Sequence, residues 1–352
     1  MSAIRNIDGP KDFIFRVLSG VAIGIVAGLV PNAILGEIFK YLIQYQPIFK
    51  TLLGVVQAIQ FTVPALIGAL IAMKFNLIPL AIAVVASASY VGSGAAQFKN
   101  GVWIIAGIGD LINTMITAAI AVLFILLIEE RVGSMALIVF PTIVGDLSAT
   151  IGIFTLPYVR LITTGIGNML NSFTELQPVL MSMLISMVFS FIIISPLSTV
   201  AIAMAIGLSG IAAGSASIGI AATEVVLLIG TSQVNRLGIP LSIFFGGVKM
   251  MMPNMVKYPV IMVPILITAA LSGIASGIIG IGGTKESAGF GFIGRVGPIN
   301  AFKFMHVDSV WLSLLLIIVT FFVVPFLIAW ILDLLLRKVI HLYRNDIFKF
   351  MG

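Results

Sequence analysis

The stretch from Val102 to Ile128, VWIIAGIGDLINTMITAAIAVLFILLI, carries one charge, Asp110. A helix crossing a bilayer needs about 20 apolar residues, and blocks of this kind recur along most of the chain. The composition agrees: 60% hydrophobic, 9% charged, mean hydropathy +1.21. Backbone groups in hydrocarbon must be bonded internally, and the runs lack the period-2 alternation of a β-barrel, so the spans read as helices. The expected fold class is all-α: a polytopic integral membrane protein, one transmembrane domain over residues 1–352 with no soluble domain.

Working outward, candidate spans fall at 14–35, 51–73, 77–95, 102–128, 135–157, 178–195, 197–214, 216–232, 258–281 and 311–336. The apolar stretch from Val17 to Leu35 is longer than a typical signal-peptide core and reads as an uncleaved first span. Prolines at 64, 79, 141, 157, 196, 240, 253, 259 and 264 lie in or beside the blocks. Broken helices persist at membrane depth only where protein or a cavity satisfies the freed backbone, as in transporters. The segment Gly238 to Pro259 is too punctuated for a clean crossing and too apolar for a loop, so it reads as a re-entrant hairpin or interfacial helix. Gly282 to Asp308 is Gly-rich and carries Lys285, Glu286, Arg295, Lys303 and His306.

The net charge of +6 concentrates at Arg5, Lys11 and Arg16 before the first span and Arg337, Lys338, Arg344 and Lys349 after the last. Positive charge beside spans favours the cytoplasmic side, which places both termini there. Anionic headgroups account for the basic balance without nucleic acid. The absence of cysteine excludes disulfides, thiolate metal sites and cysteine nucleophiles, and two histidines leave little for metal binding. No catalytic residues, metal or cofactor are expected. HExxH, GxSxG and the Walker lysine loop are absent, and no His–carboxylate pair surrounds a serine.

Ionisable residues inside spans are costly and therefore functional candidates. Asp110 and Asn113 share a helical face at i, i+3, where they suit hydroxyls or a cation, with an interfacial position as the alternative. Asp146 reads equally as a polar contact or a helix cap. Glu224, followed by Val225 to Ile229, is the sharpest case; it needs a partner, and Lys249 across the hairpin is one candidate. The octet Gly107–Thr114 is echoed by Gly165–Ser172, which pairs Asp110 and Asn113 with Asn168 and Asn171 and suggests repeat-related halves meeting near 150–195. Gly20, Gly24 and Gly28 line one helix face, for packing within the chain or at a dimer seam, and Gly273 and Gly277 repeat the pattern. Gly289-Phe290-Gly291-Phe292-Ile293-Gly294 fits GxGxxG, but without a βαβ setting it is no dinucleotide site. It reads as a tight turn or as backbone N–H groups facing an anion beside Arg295.

With Thr223-Glu224 ahead of a re-entrant segment, broken spans and this echo, the chain resembles the membrane subunit IIC of the bacterial phosphoenolpyruvate-dependent sugar phosphotransferase system. The nearest likeness is to its single-domain branch, related to toxin-expression regulator proteins. In larger relatives a Gly-Ile-Thr-Glu-Pro-like segment carries the glutamate that holds sugar hydroxyls. Here Gly219-Ile220 and Thr223-Glu224 match in part, separated by two alanines and lacking the proline. The relatives' membrane histidine has no counterpart, since His306 lies in the Gly-rich loop and His341 in the basic tail. The resemblance implies a homodimer, separate soluble IIA and IIB phosphocarriers, and a sugar moved by alternating access. Its expected contacts are Glu224 with Thr223, Asp110, Asn113, Asn168 and Asn171, and Arg295 for an anion or phosphate. An ion-coupled transporter for a small polar or anionic solute and a sensor without net transport are the alternatives.

Overall fold

The computed structural model describes residues 7–285, 287–305 and 309–351. They form two compact units, one reaching Ile162 and the other running from Thr163 to Met351.

In the first unit the helices are α1 (Pro10–Pro31), α2 (Glu37–Leu42), α3 (Ile48–Gln60), α4 (Val63–Lys74), α5 (Pro79–Gly92), α6 (Leu111–Val132), α7 (Ala136–Val139) and the first part of α8 (Asp146–Phe173). Proline in the first turn starts α1, α4 and α5, where its missing N–H has no helical partner to lose. Gly20, Gly24 and Gly28 face Ile71, Ile67 and Val63, so α1 and α4 lie antiparallel in near backbone contact. An added Cβ at Gly20 would stand 2.5 Å from the Ile71 Cα. These glycines serve packing within the chain.

The founding stretch is only partly a span. Residues Ala96–Lys99 (β1) and Val102–Ile105 (β2) pair antiparallel, with Phe98 opposite Trp103. Asn100 and Gly101 adopt φ 52° and 82°, the left-handed pair that an Asn-Gly hairpin turn requires. The expected span 102–128 therefore begins at Leu111, where the Asp110 carboxylate caps α6 by accepting the Asn113 N–H at 2.9 Å. β-branched and aromatic side chains after an Asn-Gly turn favour strand over helix, and apolarity alone does not report this.

The apolar run Leu111–Phe173 folds back on itself at Gly133. Asn113 donates through Nδ2 to the Gly152 carbonyl at 2.7 Å and to the Gly92 carbonyl at 2.6 Å, and its Oδ1 accepts from Thr155 at 2.8 Å. One buried amide thus ties α5, α6 and α8 together. Asn113→Leu leaves the buried Gly92 carbonyl without a donor, while the Gly152 carbonyl keeps the Thr155 hydroxyl at 3.1 Å; it is expected to lower the stability of this unit by about 1–3 kcal/mol, read as a fall in the thermal midpoint in detergent, while Asn113→Asp loses less than Leu only if the bond from Thr155 survives. A midpoint unchanged by leucine would show that the amide holds nothing.

The second unit holds α9 (Pro178–Ile194), α10 (Thr199–Ala205), α11 (Gly210–Ser232), α12 (Gly238–Phe244), α13 (Met252–Lys257), α14 (Met262–Ile279), α15 (Val296–Phe304), α16 (Val310–Ile318) and α17 (Val324–Leu334). The last two join through a π-helical turn at Val319–Val323 into one crossing that continues to Val339. The expected spans 197–214 and 216–232 are corrected: a seven-residue helix, a break with Gly207 and Gly210 at positive φ, and then the single long helix α11. Every residue from Ala212 to Leu227 is buried, as befits a helix apolar on all sides. Its Gly219 lies against the Ser186 backbone of α9, while Gly273 and Gly277 of α14 lie against Ser182 and Pro178–Val179 of the same helix. Small residues at these crossings let the three backbones close up.

Five stretches are long and apolar enough to cross a membrane, or six when α3 and α4, bent by 47°, count as one. The all-α multi-pass fold stands; these five or six stretches of spanning length, one of them the folded-back run Leu111–Phe173, compare with about ten expected helices that include broken and re-entrant segments.

The tail after α17 packs back onto the unit. Phe348 is buried with its ring on Gly230; Asn235 donates to the Phe348 carbonyl and accepts the Phe350 N–H, each at 2.8 Å; Asn254 donates to the carbonyls of Ile347 and Lys349, also at 2.8 Å. Tyr343 donates to Asp333 at 3.4 Å, and burial, reinforced by that carboxylate, raises the phenol above its ordinary value. A raised acid favours the folded state while protonated. Docking of the tail should thus be intact below about pH 10 and weaken as pH climbs from there toward the raised value. Tail protection from proteolysis should fall over that alkaline window in the native chain, and a Tyr343→Phe chain with the same fall would remove the phenol as its cause.

Candidate functional site

Glu224 sits two-thirds of the way along α11 with 1% of its surface exposed. Its Oε2 accepts the Phe292 N–H at 2.8 Å, and its Oε1 is buried with no partner among the described residues. A buried carboxyl left half-satisfied is costly, so an unbonded oxygen at this depth marks a position suited to a ligand hydroxyl. Thr223 beside it is buried and turned inward, donating to the Gly219 carbonyl at 3.0 Å.

The partner of Glu224 comes from the Gly-rich loop. After α14 ends on Gly280 in the left-handed region, the chain runs beside the start of α11, where Gly210 and Gly283 exchange two backbone hydrogen bonds of 3.0 Å. Thr199 then holds the Gly289 carbonyl at 2.8 Å, and Gly291, at φ 51°, presses its Cα side onto Ile220, Ala221 and Glu224. An ideal Cβ there would lie 2.9 Å from the Ala221 N and 3.0 Å from Glu224 Oε2. Only glycine combines that φ with that approach. The next residue, Phe292, aims its N–H at Glu224 and stacks its ring near Phe322 (4.6 Å between centroids), Phe244 (5.9 Å) and Phe321 (6.4 Å). The loop is thus folded into the bundle, and GFGFIG is a tight turn.

Lys249 does not pair with Glu224. It is buried, and its ammonium donates to the carbonyls of Ser195 and, at 2.7 Å, Leu197, in the break between α9 and α10. Those carbonyls are freed where Pro196 interrupts the helix, which supplies the lysine with acceptors nearer than the carboxylate. The segment between α12 and α13 that carries Lys249 also meets the loop, since Gly246 contacts Ile293 and the Phe244 ring neighbours Phe292.

The other expected contacts fall elsewhere. Asp110 is the α6 cap and Asn113 the amide staple, with every polar side-chain atom of Asn113 engaged. Asp146 is exposed in the first turn of α8. Asn168 and Asn171 are exposed on α8. The echo does not repeat in structure: Gly107 and Gly109 have φ 109° and 68° in a loop, whereas Gly165 and Gly167 are helical. Arg295 is exposed at φ 60°, three residues beyond Phe292, with its own N–H on the Phe292 carbonyl at 2.7 Å. Glu286, His306 and Asp308 lie outside the described residues.

Sequence reasoning found Glu224 but missed Phe292 and Gly291. The signal was present in the glycines of GFGFIG, whose meaning is close backbone approach. What this turn approaches is Glu224, 68 residues before Phe292, and that leaves no local trace.

Neither curated proteins nor solved structures yield a match to this chain. The family model described as Phosphotransferase system, EIIC, matches residues 15–350. That match takes in Glu224, the loop that holds it and the spans on either side, and the chain belongs to the phosphotransferase system EIIC family.

Proposed function

We propose that this membrane component of the phosphotransferase system binds a sugar at Glu224 and presents it alternately to the two sides of the membrane. The observation that carries the reading is the buried carboxylate with one oxygen on the Phe292 N–H and the other unbonded. A carboxylate accepts hydroxyl protons in strong, charge-assisted hydrogen bonds. In the arrangement described, Oε1 takes one sugar hydroxyl; withdrawal of the loop frees Oε2 for a second. Loop position and sugar affinity are therefore coupled through a single backbone N–H. The loop is fastened at Gly283 and at Gly289 and turns at Gly280 and Gly291, which confines its movement to the part that covers Glu224. Arg295, exposed at the end of this loop, is placed to meet a phosphoryl group that arrives with the phosphocarrier or leaves with the product. The phosphoryl donor is a separate IIB protein charged by IIA, and both termini lie on the side where these partners act.

The test is uptake of labelled sugars into proteoliposomes holding this chain, with and without phosphorylated IIA and IIB. Uptake with phosphorylation only when the partners are supplied is the expected result. Accumulation driven by a proton gradient without them would replace this reading with an ion-coupled transporter, and saturable binding without uptake in either setting would replace it with a sensor.

A further inference from the structure

The hairpin that opens the founding stretch has two unlike faces. Its register puts Ala96, Phe98, Trp103 and Ile105 on one side and Gln97, Lys99, Val102 and Ile104 on the other. The first face is wholly apolar, yet Phe98, Trp103 and Ile105 are 60%, 70% and 59% exposed, with the two rings in contact at 5.3 Å. We infer that this hairpin is a membrane-interface anchor, its Phe98–Trp103–Ile105 face seated among lipid at the boundary of headgroups and acyl chains.

Three observations select lipid as the occupant. The first is depth. The hairpin is pinned at its base by Ala106 N–H on the Ala95 carbonyl (2.7 Å) and Asp110 N–H on the Ser93 carbonyl (2.9 Å), directly before α6. With 22 residues, α6 is just long enough to cross the hydrocarbon, at about 1.5 Å per residue against about 30 Å, so its capped end lies at one interface and the hairpin with it. The second is composition. Tryptophan and its aromatic neighbour suit the headgroup level, and Lys99 at the tip, on the opposite face, suits anionic headgroups. The third is area. The three exposed side chains offer on the order of 400 Å², half of the about 800 Å² per partner that a stable protein contact needs. A surface continuous with the lipid-facing sides of the spans meets no such threshold.

Trp103 is its own reporter, since the chain has three tryptophans and the other two, Trp311 and Trp330, tolerate replacement by phenylalanine as exposed side chains. In proteoliposomes of the Trp311→Phe, Trp330→Phe chain, Trp103 emission should be blue-shifted, shielded from acrylamide, and reduced by about half or more by lipids brominated near the headgroup end of their chains. Should the double variant misfold, the bromolipid quenching lost on Trp103→Phe in the otherwise native chain gives the same reading. Water-like emission quenched by acrylamide would overturn the inference. So would blue-shifted emission untouched by bromolipids together with crosslinking between copies through a photoreactive residue at position 103, which would make a second copy the occupant.

Discussion

Glu224→Gln is expected to weaken sugar binding by about ten- to a hundred-fold, because a hydrogen bond to a charged acceptor contributes about 1.5–3 kcal/mol and the amide carbonyl restores only part of it. Glu224→Ala should abolish measurable binding. Stability separates a binding role from a structural one. Replacing the buried carboxylate by an amide relieves its desolvation, while the Phe292 N–H keeps an acceptor in the amide oxygen, a weaker one than the carboxylate; these effects oppose each other, so the thermal midpoint of Glu224→Gln in detergent should stay near that of the native chain or rise. Titration of both variants with the transported sugar decides the matter. Unchanged affinity in Glu224→Gln would take the residue out of the site, and lost affinity with a collapsed midpoint would make it structural.

The second large effect is expected at Gly291, which touches no sugar in this reading. Gly291→Ala places a methyl group 2.6 Å from Ile220 Cγ2 and 2.9 Å from the Ala221 N at φ 51°. A left-handed non-glycine residue costs about 1–2 kcal/mol and overpacking about 1–3 kcal/mol. Together these shift the loop from its place over Glu224 by a factor of about a hundred. Phosphorylation-linked uptake should fall by at least about ten-fold as the two states lose their balance. The chain has no cysteine, so a single cysteine introduced at Ala288 reports directly: its maleimide labelling, slow while the loop is buried, should quicken in the Gly291→Ala background. Unaltered labelling and uptake would mean that the loop does not move over the carboxylate.

The contrast between these two residues shows what a single sequence discloses. Apolar blocks gave the membrane fold, because hydrocarbon imposes one rule on every spanning residue. Glu224 stood out for the same reason, as a charge among Val225 to Ile229. The glycines of α1 and α14 announced close helix packing, and they pack within the chain as their spacing allowed. The misreadings arose where local chemistry overrides average hydropathy. Asn100-Gly101 is a hairpin turn written in two letters, but Val-Trp-Ile-Ile after it has the hydropathy of a spanning segment and the conformation of a strand. Asp110 three residues ahead of Asn113 is a cap, not a pair on a helix face, and Asn113 then finds partners at positions 92, 152 and 155 that no spacing rule connects. Lys249 found carbonyls at a proline break in place of the carboxylate. The echoed octets share letters and differ in backbone, since a glycine in a loop and a glycine in a helix are the same letter.

The distance along the chain between Glu224 and Phe292 bears on how the protein is made. With 68 residues between carboxylate and N–H, α11 enters the bilayer well before the group that will bind Glu224 has been synthesised. A lone acid at mid-helix costs about 2.5–3.5 kcal/mol on insertion, and the run from Val225 to Ile229 offsets it by being apolar without interruption. Those residues are therefore a provision for biogenesis as much as for packing. The nascent helix can wait in lipid with its acid unmatched, and the pairing of Glu224 with the Phe292 N–H is made only when the Gly-rich loop folds back, so that completing the bundle and giving the buried carboxylate its partner are one event.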